Sequence, residues 1–419
     1  MPSAPQLAIW AIAALATAGV ILRPLHLPEA VWALGGAAAL VCLGLLPVGA
    51  AMAGIGQGVD VYLFLTGMML LAELARQEGL FDWLAARAAR MARGSATRLF
   101  GLVYIVGILV TVFLSNDATA VVLTPAVAAV ARAAKVERPL PYLFVCAFIA
   151  NAASFVLPIS NPANLVIYAQ RMPALLQWLP RFALPSLLSI GATFILLRWT
   201  QRDALRQSVA LQVTVPALSG AGKLTAAGIA AAAVALMLAS ALGIQLGLPT
   251  CIAGLVTLAA VALKVRRAPW RFLREISWGV IPLVAGLFVL VEALARTGVI
   301  QSVGAILGGQ AQHAATPTAA AAGVAVGIAA NLINNLPAAL IAGSAVQSAA
   351  VPPQVASAIL IGVDLGPNLS VTGSLATILW LGALRRDGIQ VKAWDFLKLG
   401  LLIMPPALAL ALGGLLLTG

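Results

Sequence analysis

Two aspartates and a set of asparagines stand inside otherwise apolar stretches, and they recur in pairs. Leu114-Ser115-Asn116-Asp117-Ala118-Thr119-Ala120 is echoed by Leu332-Ile333-Asn334-Asn335-Leu336-Pro337-Ala338 at an offset of 218 residues. Upstream, the stretch 70–76 containing Glu73 is echoed by 289–296 containing Glu292 at an offset of 219. Offsets that differ by one residue make a single long repeat. A carboxylate deprived of water favours its neutral form, so Asp117 and Asp364 can take up and release a proton as access to water changes. The amides and hydroxyls around them can hold a polar solute by its oxygens. The candidates for that contact are Asn116, Asp117, Thr119, Asn151, Ser154, Asn334, Asn335, Asp364, Asn368, Thr372 and Ser374, with Asn161 and Asn164 in the same stretches. The repeat crosses the residue types, since Asp117 corresponds to Asn335 and Asp364 to Asn151. Each half therefore supplies one carboxylate and one amide.

Glu73 and Glu292 carry a blander reading. Each is followed about one turn later by an arginine, Arg76 or Arg296, which predicts a local ion pair at a helix end. Cys146 lies one turn before Asn151 and reads as a small buried apolar residue. Cys42, Cys146 and Cys251 show neither metal-ligand spacing nor a disulfide framework, and no metal or cofactor is expected. Zinc-protease, nucleophile-elbow and dinucleotide-loop motifs are absent from the sequence. The pattern points to a transporter, not an enzyme. An intramembrane protease built on Asp117 and Asp364 is the competing class.

The elements that position these groups follow from composition. Of 419 residues, 62% are hydrophobic and 9% charged, with a mean hydropathy of +1.03. So few charges cannot cover a soluble protein of this length, and long apolar runs signal membrane-crossing helices. The run at 7–22 lacks a basic leader and reads as an uncleaved first span. The net charge of +12 sits between apolar runs, which argues against nucleic acid and for basic loops on the cytoplasmic side.

Two runs in each half exceed the roughly 20 residues needed to cross a bilayer. These are 99–133 and its twin 317–350, and 141–170 and its twin 354–382. If 99–133 and 317–350 are re-entrant hairpins and the other runs cross, 22 of the 25 Lys and Arg fall on one side and three, Arg171, Arg181 and Arg296, on the other. The positive-inside rule then predicts an all-α protein with ten crossings, two hairpins and both termini outside the cytoplasm. Five crossings per half make the halves inverted. The expected units are a first repeat over 1–205, a cytoplasmic linker over 206–223 and a second repeat over 224–419. The stretch 76–94, with Leu80, Phe81, Leu84 and Met91 at helical spacing among arginines, predicts an amphipathic helix on the inner surface. At the hairpin tips, the returning helix is expected to begin on Asn or Asp caps and to present free N–H groups near the midplane.

The motifs then match a known pattern. Ser115-Asn116-Asp117-Ala118-Thr119-Ala120-Val121-Val122-Leu123-Thr124-Pro125, Asn334-Asn335-Leu336-Pro337 and the stretch 364–381 resemble arsenite/antimonite efflux permeases of the arsenical pump family, within the ion transporter superfamily. The resemblance covers nearly the whole chain. It implies export of arsenite or antimonite across a bacterial inner membrane in exchange for protons, in some members beside a soluble arsenite-stimulated ATPase. The superfamily also contains sodium- or proton-coupled anion symporters, which is the alternative function. Asn151-Ala152-Ala153-Ser154 departs from the family pattern, which often carries an acidic residue followed by Thr, Ala and Ser. One implied proton carrier is therefore missing from this chain.

Overall fold

The computed structural model describes residues 2–211, 213–349 and 351–418, apart from the side chain of Gln170. Gln212 of the expected linker and Ala350 at the end of the expected second hairpin lie outside the described residues. Twenty α-helices make up the described chain, which contains no strand. In the first half these are α1 (Ala4–Leu22), α2 (Glu29–Cys42), α3 (Val48–Gln57), α4 (Val59–Gln77), α5 (Leu80–Ala92), α6 (Ala96–Phe113), α7 (Thr124–Ala133), α8 (Leu140–Ala152), α9 (Pro162–Tyr168) and α10 (Leu175–Thr200). In the second they are α11 (Gly220–Ala241), α12 (Gly247–Val265), α13 (Trp270–Leu273), α14 (Val280–Arg296), α15 (Val299–His313), α16 (Ala315–Ile333), α17 (Asn335–Ser348), α18 (Pro353–Leu365), α19 (Leu375–Arg386) and α20 (Ala393–Thr418).

Lipid cannot hydrogen-bond a peptide group, so a chain this apolar satisfies its backbone within helices. Their ends follow ordinary capping chemistry. At α1, Ser3 and Gln6 form a reciprocal capping box with Pro5 in the first turn. Seven helices are long and apolar enough to cross a membrane, and nine spans result if the bent pairs α3–α4 and α14–α15 each count as one. That count takes in α6 and α16, the first arms of the expected hairpins, and leaves out the 14-residue α2 as too short. The runs at 141–170 and 354–382 are split into α8 and α9, and α18 and α19.

The packing repeats as the sequence does. Helix α2 lies on α14 and α12 lies on α4, so each half lends its early helices to the other. The two 26-residue helices α10 and α20, each with two prolines inside it, pack on one another. Small residues allow the closest crossings. Gly323 and Gly327 of α16 face Gly362 and Gly366 at the end of α18, where a side chain would strike the opposing backbone. Nearly every residue of α8 and α18 is buried, as expected for helices apolar on all sides. These two broken helices form the centre of the molecule.

Helix α5 corrects an expectation. Its amphipathic character is present and Leu80 and Phe81 are buried as expected, but the rest of the buried face is Ala85, Ala86, Ala88, Ala89 and Ala92, while Leu84 is half-buried and Met91 is 55% exposed. Alanines allow α5 to approach α6 and α7 closely, so they bury beside Leu80 and Phe81 while Leu84 and Met91 are left towards the outside. Its counterpart α15 was not expected, because polar glutamines interrupt its apolar pattern.

Candidate functional site

Four half-helices begin at one small cavity. The first tip breaks at Leu114-Ser115 and resumes through Asn116 and Asp117 into a π-helical turn, Ala118–Leu123, and then α7. The second breaks at Asn334 and resumes as α17. The two central breaks, after α8 and after α18, resume as α9 at Pro162 and α19 at Leu375. The cavity, about 40 Å³ in volume, is walled by Asn116 and Asp117, by Asn335 and Leu336, by Asn161, Pro162 and Ala163, and by Ser374 and Leu375. Leu65 of α4 and Val280 and Val284 of α14 complete it. Four of the five polar wall residues pair across the repeat, Asp117 with Asn335 and Asn161 with Ser374, while the counterpart of Asn116, Asn334, stands outside the wall.

Local chemistry explains the breaks. Asn161 and Ser374, at the start of their half-helices, accept from Ala163 N at 3.0 Å and Ala376 N at 3.2 Å. The first tip departs from expectation. Ser115 supplies the cap, accepting from Ala118 N at 3.1 Å, while Asn116 Oδ1 accepts from the next residue's N–H at 2.9 Å. A serine oxygen reaches the third residue on without distorting the turn. At the second tip Asn334 does cap, accepting from Leu336 N at 3.4 Å, and its Nδ2 donates to Thr372 O at 3.2 Å. Its backbone, at φ 71° and ψ 152°, lies in a region normally reserved for glycine.

The expected site residues divide into wall and support. Asn116, Asp117, Asn335 and Ser374 face the cavity. Thr119 lies behind the first tip, 2.8 Å from Thr111 Oγ1. Ser154 donates to Ala150 O at 2.6 Å within α8 and its break. Asn164 donates to three carbonyls of the first break, the nearest Ser154 O at 3.0 Å. Asn151 Nδ2 donates to Asn368 Oδ1 at 3.0 Å, and Asn368 Nδ2 donates to Phe148 O at 3.0 Å, which ties the two central breaks together. Thr372 donates to Asn331 O at 3.0 Å. Asp364 is wholly buried behind the wall, and its Oδ1 accepts from Asn161 Nδ2 at 2.8 Å.

Asn331 was not anticipated. It donates to Gly327 O at 2.8 Å and Gly366 O at 2.9 Å and accepts from Ser370, stitching α16 to the second break. Its only sequence signal is a lone amide three residues before a tip. The apolar wall, Leu65, Val280 and Val284, has no signal in a chain rich in such residues.

A wider vestibule of about 720 Å³ reaches the cavity and shares Leu65, Asp117, Pro162, Val280 and Leu375 with it. Its mouth carries Arg76, Glu275, Arg386 and Asp387. There Glu73 accepts from Arg76 at 2.6 and 2.9 Å, and away from the vestibule Glu292 accepts from Arg296 at 2.9 Å, the local pairs their spacing predicts. Among the described residues the cavity wall contains one carboxylate and no cationic side chain.

Buried half-helix starts that bring polar side chains to one cavity, in a helical protein with membrane-length spans, define a membrane transporter. Comparison agrees. The sequence profile of the CitMHS family, described as citrate transporter, matches residues 9–363. The chain belongs to this family, within the ion transporter superfamily. The arsenical pump membrane protein of Yersinia enterocolitica is 25% identical over 83% of this chain and 84% of its own length. An uncharacterized transporter of Mycobacterium tuberculosis is 26% identical over 97% of both chains. The YdaH transporter of Alcanivorax borkumensis shares the fold with a TM-score of 0.55, at 18% identity, over 99% of this chain and 97% of that one. The relatives are transporters and pumps, and this chain is a transporter rather than an enzyme.

Proposed function

We propose that this protein exports small neutral trivalent hydroxides, arsenite or antimonite, from the cytoplasm in exchange for protons. The cavity carries this reading: it is small and free of cationic side chains, with the amides Asn116, Asn161 and Asn335 and a single carboxylate set in an otherwise largely apolar wall. Its volume of 40 Å³ is room for about three waters at roughly 10–15 Å³ each. Arsenous acid is neutral at physiological pH and has three hydroxyls that donate and accept. Asp117 would accept from one hydroxyl, while Asn116, Asn335 and the half-helix N–H groups match the rest. Protonating Asp117 removes that acceptor, so proton and solute compete for one site, which is the requirement for exchange. The relatives named as arsenical pumps support the substrate.

In this reading the chain threads an inner membrane with ten crossings and two re-entrant hairpins in inverted halves. The vestibule mouth, among the basic loops, faces the cytoplasm by the positive-inside rule. Both termini face outward. A second reading, proton- or sodium-coupled movement of a carboxylate, is favoured by the half-helix N-termini, whose partial positive charge suits an anion.

Everted membrane vesicles separate the two. Arsenite uptake that follows an imposed proton gradient without sodium, and stops when the gradient is collapsed, is the expected result. Citrate or dicarboxylate movement without arsenite uptake overturns the substrate assignment.

A further inference from the structure

We infer that Asn161 is a positioning residue that transmits the protonation of Asp364 to the substrate cavity. This deepens the proposed exchange function and rests on it. Asn161 touches both places at once. Its Nδ2 donates to Asp364 Oδ1 at 2.8 Å, its Oδ1 accepts from Ala163 N at 3.0 Å, and the residue lines the cavity at the start of α9. One amide orientation satisfies both neighbours, since a carboxylate needs a donor and an N–H needs an acceptor.

Asp364 itself does not line the cavity, and its second oxygen, Oδ2, is buried without a partner. A buried oxygen so placed calls for a proton, a water or a cation. The other buried acceptors without a partner in the central breaks are Asn151 Oδ1 and Asn164 Oδ1, both neutral amide oxygens, whereas a proton needs only Oδ2 itself. The helices packed on α18 bring little charge towards it. Helices α16 and α17 have no titratable residue, α8 has Tyr142 and Cys146, and Tyr168 of α9 bonds Ser357 two turns away. On α20, Asp395 and Lys398 are exposed, with Lys398 over the Trp394 ring.

The repeat exposes the specialisation. Ser374 caps α19 as Asn161 caps α9, but a hydroxyl has no second arm to reach backwards. The residue equivalent to Asp364 is Asn151, which cannot titrate. With Asp364 ionised, a charge-assisted bond pins Asn161 and keeps the start of α9 set for the solute. A proton on Oδ2 removes that charge, frees the amide and loosens the cap. Solute affinity therefore falls when Asp364 is protonated, the sign that exchange requires.

The test is Asn161→Ser, which retains the cap used in the other half and removes the donor to Asp364. Arsenite affinity of the purified protein is measured at about pH 6 and about pH 8, and wild type is expected to bind about tenfold more tightly at the higher pH, a typical coupling factor. Asn161→Ser and Asp364→Asn each lower this ratio by the same factor, at least about twofold, Asp117 supplying the pH dependence that remains, and combining them adds nothing further. A wild-type ratio in Asn161→Ser, or additive effects in the double variant, overturns the relay. An infrared measurement needs no solute: the protonated-carboxyl band absent in Asp364→Asn shifts its pH midpoint by about one unit in Asn161→Ser, the cost of one charge-assisted bond. An unmoved midpoint overturns the relay even if arsenite proves not to be the substrate. Absence of arsenite binding with a moved midpoint overturns the substrate and leaves the relay standing.

Discussion

Asp117 lines both the vestibule and the cavity, so it is the carboxylate at the passage between them. A hydrogen bond to a charged group contributes about 1.5–3 kcal/mol. Asp117→Asn is therefore expected to weaken arsenite binding by about ten- to a hundredfold at neutral pH. It should also abolish gradient-driven uptake while folded protein remains in the membrane, as judged by vesicle flux and gel filtration; unchanged coupling would remove Asp117 from the mechanism. Asn334 makes a different prediction. Its backbone costs about 1–3 kcal/mol in a non-glycine residue, offset by its two side-chain bonds to Leu336 N and Thr372 O. Asn334→Gly should relieve strain as it loses the bonds and melt near wild type in detergent. Asn334→Ala loses the bonds and keeps the strain, and should melt several degrees lower. Equal melting of the two variants would show that the tip carries no strain.

At the scale of elements, the crossing of α16 and α18 sets the distance between the second tip and the central break. Gly323, Gly327, Gly362 and Gly366 leave no room for a side chain between them. Gly362→Leu is expected to force the helices apart, giving little monodisperse protein after detergent extraction, because backbone cannot yield as a flexible side chain can. Gly413→Ala, on α20 with nothing within 4 Å of the added carbon, is the neutral control. Normal extraction of Gly362→Leu would mean that this crossing is looser than its geometry. The element boundaries were partly legible. The interruptions at Ser115, Asn334, 151–162 and 364–374 were readable because polar groups and proline are costly in lipid. The first tip's serine cap and π-helical turn were not, since Ser115, Asn116 and Asp117 are all competent caps and only the path of the chain chooses among them.

At the scale of the molecule, the vestibule lies between the two halves and opens among the basic loops. Ala383 and Leu379 of α19 line it. In a background without Cys42, Cys146 and Cys251, Ala129→Cys, at an exposed position of α7 that also lines the vestibule, should react with a membrane-impermeant maleimide in everted vesicles and resist it in right-side-out ones. The reverse pattern would invert the assigned topology.

Composition, charge placement and the long repeat determined the class of protein directly from the chain, because lipid imposes one solution on an apolar backbone and basic loops record which side they face. The positions of the helix breaks were determined the same way. Only the tertiary structure decided which polar residues share a cavity. Asn116, Asp117, Asn335 and Ser374 line it, while Asn151, Asp364 and Asn368 bind one another or Asn161 behind it. Residues of one type, at similar depth and in similar breaks, look alike in sequence. What separates them is the direction each side chain takes once α8 and α18 have crossed, and that direction is set by packing between helices about 200 residues apart.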